Sequence, residues 1–183
     1  MTPLPSIEHR RSVRSFQPKP VEEEKLYQVL QAARLAPSSN NKQPWRFIVV
    51  REESQRQALA RADHNQSWML SAPLFIVCVA DLAARMSNTI TLVVDEHSDL
   101  WELKRVIRDT AIATGYLLLE ADALGLATCW TGFFKQAEVR PILNLPGDKF
   151  VVAIVAFGYP AEEPKPRPRL PLAKLVRFER WED

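Results

Sequence analysis

Leu74-Phe75-Ile76-Val77-Cys78-Val79-Ala80 is an apolar run opened by Pro73. An alternating strand would show one wet face, whereas an unbroken apolar run suits a central strand covered on both sides. Phe150 to Phe157 has the same character and is closed by Gly158-Tyr159-Pro160. Two further strands are predicted from β-branched and aromatic content, Trp45 to Val50 and Leu126 to Trp130. Helices must supply the cover. Glu22, Glu23 and Glu24 place acids at a helix start, Leu26, Val29, Leu30 and Ala33 recur at helical spacing, Arg34 falls in the last turn, and Pro37 stops it. Further helices are predicted over Glu53 to Ala62, Trp101 to Leu124 and Ala137 to Leu143. The Trp101 helix has a wide apolar face with small residues Ala111, Ala113 and Gly115, and its breadth predicts burial on more than one side. Asp81 to Leu100 follows no clear period, and Thr89 to Val94 suits strand or helix. Helices and strands mix without a strict βαβ repeat.

The 183-residue length suits one domain over 1–183, with 161–183 as an extended C-terminal arm. Lysine and arginine total 24 against 22 acids, for a formal charge of +2, so any anion preference must be local and nucleic-acid binding is weakly supported. No run approaches the roughly 20 apolar residues needed to span a bilayer. The start, Met1-Thr2-Pro3-Leu4-Pro5-Ser6, lacks a basic segment followed by an apolar one. A soluble, cytoplasmic protein with no membrane partner is expected. Cys78 and Cys129 lie in apolar strand contexts without Cys-x-x-Cys spacing and read as buried, unreactive thiols. His9, His64 and His97 have no ligand-spaced companions, so no metal site is expected.

Three polar stretches carry the chemistry. Arg10-Arg11-Ser12-Val13-Arg14-Ser15-Phe16 packs three cations and two hydroxyls together, with Ser6 placed to cap a short helix running into it. That mixture suits phosphate, which accepts several charge-assisted hydrogen bonds at once, and it equally suits a solvated basic surface. Ala36-Pro37-Ser38-Ser39-Asn40-Asn41-Lys42-Gln43-Pro44 is a hydroxyl- and amide-rich loop stiffened by proline, able to form turns or to line a polar ligand. From Ala161 to Pro171, four prolines alternate with Lys165, Arg167 and Arg169, which predicts an extended arm. Beyond it, Leu172 to Trp181 is too apolar to remain in water and is expected to dock. The chain has five glycines and neither Gly-x-Gly-x-x-Gly nor Gly-x-x-x-x-Gly-Lys, so phosphate cradling by a glycine-rich loop is not expected.

Taken in order, the arginine stretch, the Ala36 to Trp45 loop, Gly125-Leu126-Ala127-Thr128-Cys129-Trp130-Thr131-Gly132, Gly158-Tyr159-Pro160 and Arg167-Pro168-Arg169-Leu170-Pro171 resemble the nitroreductase family of FMN-dependent oxidoreductases. The resemblance implies an α+β fold with a mixed, mainly antiparallel central sheet flanked by helices. It also implies a homodimer, with two FMN sites at the interface and the C-terminal extension on the neighbour. By position, Arg10, Arg11, Ser12 and Arg14, with Arg167 and Arg169, would hold the FMN phosphate and ribityl end. Pro37, Ser38, Ser39 and Asn41 would come from the second subunit, with Gln43 and Trp45 supporting their loop. Asn65 would meet the flavin pyrimidine edge, and Thr131 and Gly132 would offer a backbone N–H to flavin N5. Trp68 stands where several relatives have lysine, which leaves Arg14 as the main cation near the N1 and C2 carbonyl edge.

The implied activity is ping-pong hydride transfer from NAD(P)H through FMN to a nitroaromatic, quinone or flavin acceptor. In such an enzyme the flavin carries the chemistry, so no catalytic side chain is named. The alternatives are a specialised enzyme of the same fold, of the dehalogenase or flavin-fragmenting type, and an FMN storage or sensory module without turnover. The segment from Asp81 to Leu100 replaces a helical excursion of larger relatives, so substrate class does not carry over.

Overall fold

The computed structural model describes residues 3–181; Met1, Thr2, Glu182 and Asp183, the ends of the expected 1–183 domain, lie outside the described residues. Its elements in chain order are α1 (Pro5–His9), α2 (Glu23–Arg34), β1 (Trp45–Val50), α3 (Glu53–Ala62), β2 (Leu74–Asp81), α4 (Trp101–Ala123), β3 (Ala127–Thr131), α5 (Gln136–Ile142) and β4 (Lys149–Gly158). The strands form one sheet in the order β1-β2-β4-β3, antiparallel at every pairing. The parallel component is a single bridge between Ser12 and Thr128 on the outer side of β3. The expected α+β architecture is present.

Strand β2 is buried at every position, and the pleat explains why. Phe75, Val77 and Val79 point to one face, where they meet Leu59 of α3, Val139 of α5, Met69 and Ile154. Leu74, Ile76 and Cys78 point to the other, against Val29 and Ala33 of α2 and Leu117 and Ala121 of α4. Each fully buried Phe, Leu or Ile in these layers contributes about 1.5–3 kcal/mol. A bulge shifts the register between Cys78 and Val79 opposite Ala153 and Val151. Buried Gln136 spans the irregularity, donating to the Val151 carbonyl at 2.9 Å and accepting from the Val151 N–H at 2.8 Å.

Helix α4 departs from expectation. Its buried side chains form one stripe, Leu103, Val106, Thr110, Ala113, Leu117 and Ala121, while Ile112 and Tyr116 on another flank are each 43% exposed. Gly115 lies on this open side, and a Cβ built there would meet nothing within 4 Å. Within one chain the helix is therefore buried on one side.

Three other expectations are refined. Ser6 does not cap α1: Leu4 holds the cap position, and no side chain bonds there. Pro5 at the first helical position supplies the fixed φ and has no N–H to satisfy, so the start moves ahead of the serine. In the segment Asp81 to Leu100, Asp81 ends β2 and the rest forms neither strand nor regular α-helix; it contains a 3-10 turn at Leu82–Ala84 and is held by distant partners. Thr89 bonds Asp148 at 2.6 Å, Val94 N–H donates to Gly147, and Glu96 accepts from the first N–H of α5. The arm beyond Ala161 is extended, with a short 3-10 turn at Leu172–Lys174. Leu172, 75% exposed, and Phe178, 79% exposed, do not dock on their own chain.

Candidate functional site

The arginine stretch is held by its two apolar residues. Val13 and Phe16 are each 5% exposed and point into the core, which leaves Arg10, Arg11 and Arg14 on the outer side. Backbone bonds fix the stretch along two neighbours: Val13 N–H donates to Thr128, Gln17 N–H to the Tyr159 carbonyl, and Ala161 N–H to Ser15. Gly158 permits this closeness, since a Cβ there would fall 2.6 Å from Pro73 and 3.3 Å from Phe16. The arm therefore leaves β4 beside the arginines. Glu162 secures it by accepting the Arg14 N–H at 2.6 Å.

The result is a cavity of about 460 Å³ lined by Arg10, Arg11, Ser12, Arg14, Glu162, Lys165, Arg167 and Arg169. Cations more than 150 residues apart in sequence share one wall. Among the described residues, the side chains of Arg10, Lys165, Arg167 and Arg169 make no hydrogen bond or ion pair within the chain, so their donors are available to a guest anion. Arg11 differs: its Nη1 donates to the carbonyls of Glu8, His9 and Arg10, closing the end of α1. Asp122 lies in an adjoining cavity with His9, Arg10 and Arg11, and burial pushes its carboxyl above the ordinary 3.8 against the pull of those three groups.

Next to this cradle, the Arg14 guanidinium sits 5.6 Å from the ring centre of Trp68. Trp68 Nε1 donates to Gln66 Oε1 at 2.9 Å, and Gln66 Nε2 donates to Thr131 Oγ1 at 3.0 Å. The turn after α3 and the turn after β3 thus meet. Asn65 lies on the first of them but faces a shallow depression of about 260 Å³ with Gln57, Arg61 and Ser67. The amide that reaches Thr131 belongs to Gln66 instead. Gly132 follows Thr131 in the second turn.

The serine-asparagine loop is elsewhere. Ser39 N–H donates to Asp109 at 3.2 Å, its hydroxyl accepts from Arg105 at 2.6 Å, and its carbonyl accepts from Arg85 at 3.0 Å. Glu102 bridges Arg85 at 2.6 Å and Arg105 at 3.3 Å, and these partners hold its carboxyl below the ordinary 4.5, Arg85 most strongly. Ser39 is therefore a brace, with its N–H, its carbonyl and its hydroxyl oxygen all engaged. Ser38 Oγ accepts from the Gln43 N–H at 2.9 Å and keeps its own proton to donate. Asn40, Asn41 and Gln43 all have positive φ, so the turn is tight. Pro37 precedes it and Trp45, 5% exposed, anchors it in the core. The loop is bound at Asp109 and the cradle lies near Asp122, about 20 Å away along α4 at a rise of about 1.5 Å per residue.

The model of the Nitroreductase family matches residues 7–159. The chain belongs to the nitroreductase family. It is 35% identical over 189 aligned residues to a Thermus thermophilus protein named NADH dehydrogenase, covering 91% of each chain. It is 29% identical to the FMN reductase [NAD(P)H] of Bacillus subtilis, covering 92% of this chain and 70% of the relative. The solved structure of the NADPH:FMN oxidoreductase from Vibrio harveyi complexed with NAD+ superposes with a TM-score of 0.85 at 26% identity, over 97% of this chain and 77% of that one.

Within this nitroreductase-family chain, the fold brings Arg10, Arg11, Ser12, Arg14, Arg167 and Arg169 together and sets Thr131 and Gly132 beside the Asn65 turn. Pro37, Ser38, Ser39 and Asn41 stand apart from both groups. Sequence reasoning missed Asp63, Gln66 and the brace of Arg85, Glu102, Arg105 and Asp109. One local signal was available, because Asp63 ends α3, where the helix dipole disfavours an acid. Neither cysteine is poised for chemistry: burial pushes the Cys78 thiol up to about 12 and raises that of Cys129 as well. No cluster able to hold a metal ion occurs among the described residues, and no described helix is long and apolar enough to cross a membrane.

Proposed function

We propose that this protein is a cytoplasmic FMN-dependent oxidoreductase that takes reducing equivalents from NAD(P)H and delivers them to a nitroaromatic, quinone or flavin acceptor, the two substrates using one site in turn. The observation that carries the reading is the convergence of the Arg10 stretch and the Arg167 arm on one cavity of about 460 Å³. A phosphate carrying nearly two charges needs several charge-assisted donors when it leaves bulk water. Arg10, Ser12, Arg14, Arg167 and Arg169 would hold it. Arg11 would act chiefly by fixing the end of α1.

FMN, when bound, supplies the hydride chemistry. The chain supplies its setting: Arg14, held against Trp68, would bring positive charge to the N1 and C2 carbonyl edge, where the reduced flavin is anionic. The Asn65 turn would meet the pyrimidine, and the Thr131-Gly132 turn would present a backbone N–H to N5. The names of the Bacillus subtilis and Vibrio harveyi relatives, which both include FMN, support the cofactor.

Pro37, Ser38 and Asn41 would reach the same flavin from a second copy of the chain, with Ser39 bracing them. A homodimer accounts for the separation of the loop from the cradle along α4, the open side of α4 at Ile112 and Tyr116, and the uncovered apolar side chains of the arm. The chain would then be one domain over 1–183, with the arm of 161–183 lying on the neighbour.

The direct test is the spectrum of the purified protein, which should show flavin absorbance and bleach on stopped-flow mixing with NADH or NADPH. A colourless protein that FMN does not reconstitute would reject the reading. A coloured one that neither nicotinamide bleaches would point to holding without turnover.

A further inference from the structure

We infer that Asp63 is a positioning residue for the flavin, fastening the turn after α3 to the turn after β3 and placing a negative charge at the buried end of a chain of contacts that runs through Gln66 and Trp68 to Arg14. The inference rests on the FMN reading above and deepens it. Asp63 is 0% exposed and forms no ion pair among the described residues. Its Oδ2 accepts from Thr131 Oγ1 at 2.5 Å and from Gln66 Nε2, and its Oδ1 accepts from the Phe133 N–H at 3.1 Å. An ionised carboxylate is an acceptor only, and donors are what surround it.

The two turns hold the groups assigned to opposite edges of the flavin, Asn65 on one and Thr131 with Gly132 on the other. The polar chain continues outward from Gln66 through Trp68 Nε1 to the ring beneath Arg14. Asp63 is thus the buried end of a relay whose exposed end is a guanidinium. Its placement defies local convenience. It caps the C-terminal end of α3, where the helix carbonyls repel an acid, and the two residues after it, His64 and Asn65, both have positive φ. The rings of His64 and Phe133, stacked with centroids 3.8 Å apart, clamp the same junction. Asparagine is well suited to a helix end and could accept from the Phe133 N–H, so fastening alone does not call for a charge. A fixed negative charge beside a flavin disfavours its anionic reduced form, as Arg14 favours it, so the pair would set the reduction potential between them.

The test compares wild-type, Asp63→Asn and Asp63→Ala holoprotein by FMN titration and by dye-equilibrated reduction. In Asp63→Asn, FMN should stay bound and the reduced-to-oxidised ratio at a fixed poise should rise about tenfold, which is about 30 mV for a two-electron couple. Asp63→Ala, which also breaks the frame, should weaken FMN binding about tenfold or more. If neither Asp63 variant folds, Thr131→Val takes their place. It removes the hydroxyl between Asp63 and Gln66, leaves the carboxylate with its other two donors, and should move both FMN affinity and potential. An unmoved potential in the folded variants overturns the inference while leaving the FMN reading intact. A wild-type protein that binds no FMN overturns both.

Discussion

The two ends of α4 solve opposite problems. At the Asp122 end, Arg10, Arg167 and Arg169 crowd a cavity without internal partners, so like charges face one another across water. At the Asp109 end, Ser39 has its N–H, carbonyl and hydroxyl all engaged by Asp109, Arg85 and Arg105. The first leaves its side-chain donors unspent, and the second has engaged its own. A site assembled from both needs only one of them to wait. The braced loop carries little ordering cost on binding, while the cradle supplies attraction that the folded chain has not already spent.

The largest effect on stability should come from breaking the braced end. Arg85 is 5% exposed at its side chain, so Arg85→Met strands Glu102 with only Arg105 and leaves the Ser39 carbonyl with only the Lys42 N–H. Unfolding free energy by urea titration should fall by about 2 kcal/mol, from the hydrogen bonds lost at the buried guanidinium. A change below about 0.5 kcal/mol would show that the brace is not a stability element. Arg169→Ala at the open end should do the reverse. Unfolding of the FMN-free protein should be unchanged within about 0.5 kcal/mol, while FMN affinity by fluorescence titration falls about thirtyfold, equivalent to about 2 kcal/mol. Equal losses of stability in both variants would erase the contrast between the ends.

The smallest effect is in pH. Glu102 is held below its ordinary 4.5 in the folded protein, first by its bond to Arg85, so it binds protons less readily there than in the unfolded chain. Its contribution is fully present above about 4.5 and is lost as pH falls through the lower folded value. Wild-type stability should therefore decline below about pH 4.5, and Arg85→Met should show a shallower decline over the same window. Matching acid limbs would remove Glu102 from the brace.

Both the strand core and the cation clusters were legible because each depends on local composition. The apolar run at Leu74 to Ala80 required cover on two faces, and the pleat delivered it. The arginines at both ends of the chain declared their charge, although composition alone left a solvated surface open. What eluded reading depends on partners distant in sequence. Thr89 to Val94 has no periodicity of its own because Asp148, Gly147 and Arg140 hold it. Arg11 looked like Arg10 until the carbonyls ending α1 claimed it. Asp63 drew no reading at all, because Thr131 and Phe133, which bond its carboxylate, lie about 70 residues further along the chain. Ser39 is expected from its loop to meet a ligand, and what composition could not show is that Arg85, Arg105 and Asp109 also hold it in place.

Gly115 leaves a notch halfway along a helix whose two ends carry the arginine cradle and the braced loop. If a second copy crosses there, the backbones can approach more closely than any Cβ would permit, and the crossing becomes a pivot. A small rotation about it would swing the loop of each chain toward or away from the arginines of the other at both sites together.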